Sequence, residues 1–113
     1  MSRASATAVK PRDAATLFAA LGDETRLRIV LRLCERGPES IGDLAATSAV
    51  SRQAVKKHLD VLERGGLVRG ERQGREHVWQ LAPERLVDAR GYLDVLSKQW
   101  DDALGRLAAF VET

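Results

Sequence analysis

Apolar residues recur along this 113-residue chain with two different periods, and the change of period outlines its architecture. Residues 1–12 are small, polar and aperiodic, with Pro11 near their end, and read as a disordered tail. Asp13 is placed to cap a first helix in which Ala14, Leu17, Phe18 and Leu21 fall at i, i+3, i+4 and i+7, closed by Gly22. Asp23 is placed to cap a second, from Glu24 to about Arg36, stopped by Gly37-Pro38. Its apolar residues Leu27, Ile29, Val30, Leu31, Leu33 and Cys34 lie around much of the helix, which predicts burial on more than one side. A short extended piece near Ser40-Ile41 leads to a third helix of about Gly42 to Thr47, with Leu44 and Ala45 inward, and a tight turn at Ser48-Ala49-Val50. Ser51 caps a fourth helix reaching Glu63 or Arg64. Its inward stripe is Val55, Leu59 and Leu62, flanked by Ala54 and His58, and Gly65-Gly66 ends it.

Beyond Gly66 the period falls towards two. Residues 67–72 and 76–81 read as two short strands around Gln73-Gly74-Arg75, a β-hairpin. Pro83 then opens a last helix, about 84–111, since a first turn tolerates its missing N–H. In that helix Leu86, Ala89, Leu93, Leu96, Trp100, Ala103, Leu107 and Phe110 are spaced alternately by three and four residues. This repeat of about 3.5 residues is the spacing of a helix-pairing seam. The seam is buried either by folding back over the first helix or by meeting the same helix of a second copy, and its length favours the second. Gly91 and Gly105, each costing about 1 kcal/mol relative to Ala, leave the continuity of the helix open. The predicted fold is mainly α with a small β-hairpin, in one domain over residues 13–113.

Composition changes this picture little until charge is mapped onto it. The whole chain carries 18 Lys+Arg against 16 Asp+Glu, a net +2. Between Ser51 and Arg75, however, Arg52, Lys56, Lys57, Arg64, Arg69, Arg72 and Arg75 face only Asp60, Glu63 and Glu71. That segment is +4 and the remainder −2. A local basic segment on a mildly acidic body is either a solvated charged face or a surface that meets phosphate. One Cys cannot form an intramolecular disulfide or a thiolate metal cluster. No apolar run approaches the roughly 20 residues of a membrane helix. Residues 1–12 lack the apolar core of a secretory signal, so the expected location is the cytoplasm. Enzyme chemistry finds no footing: there is no Gly-rich phosphate loop, no nucleophile elbow and no His-Glu metal pair at helical spacing. The reading is a binding module, not an enzyme, with no cofactor.

Two short helices joined by a tight turn and followed by a hairpin with a basic tip describe a winged helix-turn-helix. The major groove of B-DNA, about 12 Å wide, admits one helix whose N-terminal half meets base edges. Opposite its apolar stripe the fourth helix carries Arg52, Gln53, Lys56 and Lys57 near its N-terminus. Arg suits guanine and Gln suits adenine, while Ser51 and the helix start suit a phosphate. Arg72 and Arg75 flank Gly74 at the wing tip, positioned for the backbone or the minor groove.

On these residues the chain resembles the ArsR/SmtB-type transcriptional repressors. The matching stretches are LFAALGDETRLRIVLRL (17–33), IGDLAATSAVSRQAVKKHLDVLERGGLV (41–68) and ERQGREHVWQLAPERL (71–86). The most specific of them carries the family's spacing of Ser51, Val55, His58, Leu59 and Leu62. The resemblance implies a homodimer built from the first and last helices, whose two recognition helices enter successive major grooves of an inverted-repeat operator in double-stranded DNA. Leu17 and Leu21, with Leu93, Leu96, Trp100, Leu107 and Phe110, are the implied dimer contacts. It also implies that His58 lies by the DNA backbone; the other reading is a half-buried helix residue bonded to a carbonyl.

Departures from the family bear on sensing. Residues 42–47 hold no Cys or His, and residues 84–113 hold no His, so the ligands of the family's metal sensors are missing and no metal is expected. Cys34 reads as a small hydrophobe on the buried face of the second helix, the alternative being a redox switch. Trp79 and Trp100 read as core and seam residues. An alternative of another class, a protein-interaction module on a winged-helix scaffold, stays open at this point.

Overall fold

In the computed structural model, which describes residues 10–112, the chain runs α1 (Pro11–Leu21), α2 (Glu24–Arg36), β1 (Glu39–Ser40), α3 (Ile41–Ala46), α4 (Arg52–Arg64), β2 (Val68–Gln73), β3 (Glu76–Leu81) and α5 (Pro83–Glu112). Of the stretch read as a tail, residues 1–9 lie outside the described residues, whereas Pro11 and Arg12 are already helical. Asp13 is therefore a first-turn acid, not the cap of α1; Pro11 starts the helix, and the cap residue Lys10 makes no side-chain capping bond. Pro at the first position and a carboxylate within the first turn both suit a helix N-terminus. The other caps are as read: Asp23 accepts from the Arg26 N–H, and Ser51 from the Ala54 N–H at 3.1 Å.

The hairpin has a third strand. The extended piece lies at Glu39–Ser40, one residue earlier than expected, and pairs antiparallel with β3, giving the order β1-β3-β2. Ser40 closes that strand opposite Val78 and also caps α3, its Oγ accepting from the Asp43 N–H at 3.1 Å. Arg32 of α2 reinforces the junction with a two-pronged ion pair to Glu39, at 2.5 and 3.4 Å, with both side chains largely shielded from water.

One core joins these elements: Leu17 from α1, Ile29, Val30 and Leu33 from α2, Leu44 from α3, Val55, Leu59 and Leu62 from α4, then Leu67, Val68, Trp79 and Ala89. Val55, Leu59 and Leu62 are fully buried. At about 1.5–3 kcal/mol per buried side chain, those three alone anchor α4 by roughly 5–9 kcal/mol. Packing, more than helix propensity, holds that helix.

Two expectations for α1 and α2 need correction. Leu17 is fully buried within its own chain and so has no surface to offer a partner; Leu21, half-buried, packs on the edge of the same core. On α2 only Ile29, Val30 and Leu33 are buried, while Leu27, Leu31 and Cys34 share an exposed stripe at i, i+4 and i+7. Cys34 is thus a free, exposed thiol and not a buried hydrophobe, because at about 100° per residue it falls nearly opposite the buried Ile29, beside Leu27 and Leu31.

α5 is a single helix of 30 residues, unbroken at Gly91 and Gly105, both of which face open space. Only its beginning rests on the domain: Ala89 is buried, and Leu86 and Tyr92 pack against the core. Tyr92 meets Phe18 of α1 edge to face, with ring centroids 6.1 Å apart. From Leu93 onward most of the helix's side chains are exposed, and the radius of gyration is 17.8 Å where a globule of this length would have about 13 Å. Among the described residues no helix is long and apolar enough to cross a membrane.

Candidate nucleic-acid interface

α4 and the wing together form the basic surface. With Val55, Leu59 and Leu62 inward, Arg52, Gln53, Lys56 and Lys57 are exposed on the other side of α4. Arg52, Gln53 and Lys57 make no side-chain hydrogen bond or ion pair to the described residues, so nothing must be broken before they meet a ligand. Lys56 differs. Its Nζ lies 2.7 Å from Asp60 Oδ1 and 5.7 Å from the centroid of the Trp79 ring, so it bridges α4 and β3. At the helix start the Ser51 Oγ uses a lone pair for capping, which leaves its O–H to donate, and the first amides carry the positive end of the helix dipole.

Strand register decides which wing residues share the α4 side. Gly70 is opposite Trp79 and Arg72 is opposite His77, so Val68, Gly70 and Arg72 line one face with Leu81, Trp79 and His77. Because Lys56 reaches Trp79, this face is the one turned to α4. Arg72 therefore belongs to the α4 side, while Arg69 lies on the reverse with Glu84 at 3.4 Å. Arg75 sits at the tip beside Gly74, whose φ of +64° suits the first central position of a type II′ turn.

Sequence reasoning missed His77. Its ring stacks on the buried Trp79 with centroids 4.8 Å apart at 20°, and it is exposed beside Arg72. Gly70 makes room: a Cβ there would stand 2.6 Å from His77 Nε2 and 2.9 Å from Trp79 Cζ3. A glycine in an alternating strand, two residues before an arginine, was the signal that could have revealed this pair.

His58 is half-buried, as one of its two readings has it, but its partner is not a carbonyl. Its Nδ1 lies 3.3 Å from Arg26 Nη1 and 3.9 Å from Asp23 Oδ2. Arg26 also donates from Nε to the Ala20 carbonyl at 2.6 Å and from Nη2 to that of Ala19 at 3.4 Å. The Arg26 N–H donating to Asp23 holds this carboxyl below its ordinary value of 3.8, with partial burial opposing and the charges of Arg26 and His58 assisting. Ser51, Arg52, Gln53, Lys56, Lys57, Arg72 and Arg75 thus share the α4–wing surface, whereas His58 turns towards α2. Among the described residues no three His, Cys, Asp or Glu side chains cluster as metal ligands.

Comparison with known proteins agrees with this geometry. Residues 21–71 match a family model described as a helix-turn-helix domain. The HTH-type transcriptional regulator Rv2034 of Mycobacterium tuberculosis is 40% identical over 94 residues, covering 83% of this chain and 84% of that protein. This chain belongs to the ArsR/SmtB family of winged helix-turn-helix transcriptional regulators. An ArsR-like transcriptional regulator from Rhodococcus sp. RHA1 superposes with a TM-score of 0.74 at 35% identity, covering 88% of this chain and 92% of the other. The SmtB repressor of Mycobacterium tuberculosis is 35% identical over 91 residues, 80% of this chain and 65% of its own length. Within the ArsR family, then, the winged fold is common ground.

Proposed function

We propose that this ArsR-family regulator binds an inverted-repeat operator as a homodimer and represses by occupying the promoter. The observation that carries this reading is the single basic surface formed by the exposed side chains of α4 and the wing. α4 enters the major groove, where Arg52 and Gln53 address base edges and Lys56 follows once it leaves Asp60. Ser51 and Lys57 hold phosphate, Arg72 supports the groove wall, and Arg75 reaches the flanking backbone or minor groove. Leu93, Leu96, Trp100, Leu107 and Phe110, all about half exposed or more in the single chain, are the proposed dimer seam. Twofold symmetry then sets two copies of α4 about one helical turn of DNA apart. Such a regulator works in the cytoplasm, where the DNA is, and its action needs no catalysis, cofactor or metal.

Gel-shift titration of the full chain against duplexes selected from a random pool tests the reading. Gln53→Ala changes which duplexes bind. Arg75→Ala weakens all of them alike and lowers the salt slope by about one counterion. Binding that ignores both substitutions refutes the assignment of this surface, and absence of salt-dependent binding to any duplex supports the interaction-module alternative.

A further inference from the structure

We infer that Arg26 and His58 are positioning residues for DNA reading: the neutral imidazole of His58 accepts from Arg26, and this bond fixes the setting of α4 against the end of α1. The inference rests on the proposed role of α4 as the recognition helix. Arginine has donors only. A hydrogen bond from Arg26 Nη1 to His58 Nδ1 at 3.3 Å therefore requires a bare lone pair on Nδ1, with the ring proton on Nε2. The same guanidinium donates to the carbonyls of Ala19 and Ala20 at the C-terminal end of α1. Those carbonyls belong to the last turn, where intrahelical donors run out, although that of Ala19 also accepts from the Gly22 N–H at 3.1 Å. One side chain thus closes α1, stands on α2 and holds the middle of α4.

The neighbourhood makes this bond sensitive to one proton. A proton on Nδ1 would point at the Arg26 cation, and the bond would be lost. Among the described residues the one anion paired with that nitrogen is Asp23, its Oδ2 3.9 Å away and already accepting from the Arg26 N–H at 3.0 Å. Among the described residues no other charged group from α1, α3 or β2 contacts His58, and its neighbours one turn away on α4 are Ala54, Val55, Val61 and Leu62. Protonation therefore exchanges a bond to Arg26 for attraction to Asp23, a movement of the ring across the α1–α2 corner. Because α1 carries Phe18 against Tyr92 of α5, the same corner sets α4 relative to the helix of the proposed dimer seam. Two copies of α4 separated by one helical turn tolerate little change in that setting.

The experiment has a DNA-free arm and a DNA arm, both on the full chain. Long-range nitrogen–proton NMR of labelled histidine reports the Nδ1 state of His58 directly; a bare Nδ1 at pH 7.5 is expected, and a protonated one overturns the inference. Fluorescence anisotropy then follows a duplex selected by the wild-type protein, from pH 8 to pH 5.5 at constant ionic strength. His58→Asn keeps an acceptor near the Nδ1 position but cannot titrate, and His58→Leu removes the acceptor. At pH 7.5 His58→Asn binds like wild type, whereas His58→Leu and Arg26→Gln weaken binding about tenfold, the scale of one lost hydrogen bond to a charged group. As the pH falls, wild-type affinity declines several-fold relative to His58→Asn; any contribution of His77 is common to both and cancels. Coincident pH profiles, or wild-type affinity in His58→Leu, overturn the positioning role. Should wild type select no duplex at all, the reading of α4 fails and the role with it, while the NMR arm still decides whether the bond exists.

Discussion

Leu96 offers the sharpest test of what covers α5. It lies four residues before Trp100 and seven after Ala89, and 58% of it remains accessible in the single chain. Full burial of a leucine side chain is worth about 1.5–3 kcal/mol, so roughly 0.9–1.7 kcal/mol is still to be gained when a partner covers the rest. A twofold interface contains the residue twice, and Leu96→Ala should cost the dimer about 2–3 kcal/mol. That corresponds to a dissociation constant about 30- to 150-fold weaker. Lys98→Ala is the control: two residues on, it lies on the other side of the helix, where its Nζ is 3.6 Å from Asp102 in a well-exposed pair worth little. Sedimentation equilibrium over a range of concentrations measures both variants against wild type. A dimer constant unmoved by Leu96→Ala, an equal loss with Lys98→Ala, or a monomeric wild type would each refute the reasoning.

Other perturbations probe the wing and the helix caps. Gly70→Ala forces a Cβ into contact with His77 and the buried Trp79; thermal unfolding should show a loss of about 1–3 kcal/mol, only partly restored by adding His77→Ala, because Trp79 stays in place. Ser51→Ala removes the bond to the Ala54 N–H and should lower stability in urea by about 1 kcal/mol. Asp23 gives a pH signature. Its carboxyl is held below the ordinary 3.8 in the folded chain, so its contribution is present above that value and lost as pH falls through the lowered one. Acid titration of unfolding should therefore fall less steeply below about pH 4 for Asp23→Asn, which still caps the helix; equal slopes would count against the assigned cause.

Much of the fold was readable because local signals and packing agreed. On α4 the apolar spacing of Val55, Leu59 and Leu62, the Ser51 cap and the glycines after Arg64 all point to one helix with one buried side, and its exposed cations follow by subtraction. The wing turn was readable from Gly74 for a similar reason. What stayed hidden depends on contacts distant in sequence. β1 is two residues long and has no period of its own; it is a strand only because Glu39 and Ser40 meet Trp79 and Val78. Cys34 and Leu17 were misassigned because apolar character says that a residue can be buried, not by which chain or on which side. Arg26 sits in a helix rich in arginines, and nothing in its neighbours distinguishes it from Arg28, which merely pairs with Glu24 on the surface. His58 had two readings because imidazole suits both phosphate and a half-buried bond, and only the position of Arg26 separates them.

Ser40 leaves the two parts of the chain proposed to face DNA without independent freedom. It is at once the last residue of the strand that extends the wing and the cap of α3, with Arg32 clamping its neighbour Glu39 to α2. Any tilt of the hairpin must drag the start of α3, and α3 packs on α4. In the proposed complex the molecule would therefore measure distance as well as present side chains: the span from groove contact to wing contact would be that of a stiff caliper. An operator lengthened by one base pair between those contacts would have to deform the DNA, since the protein has no hinge there with which to follow it.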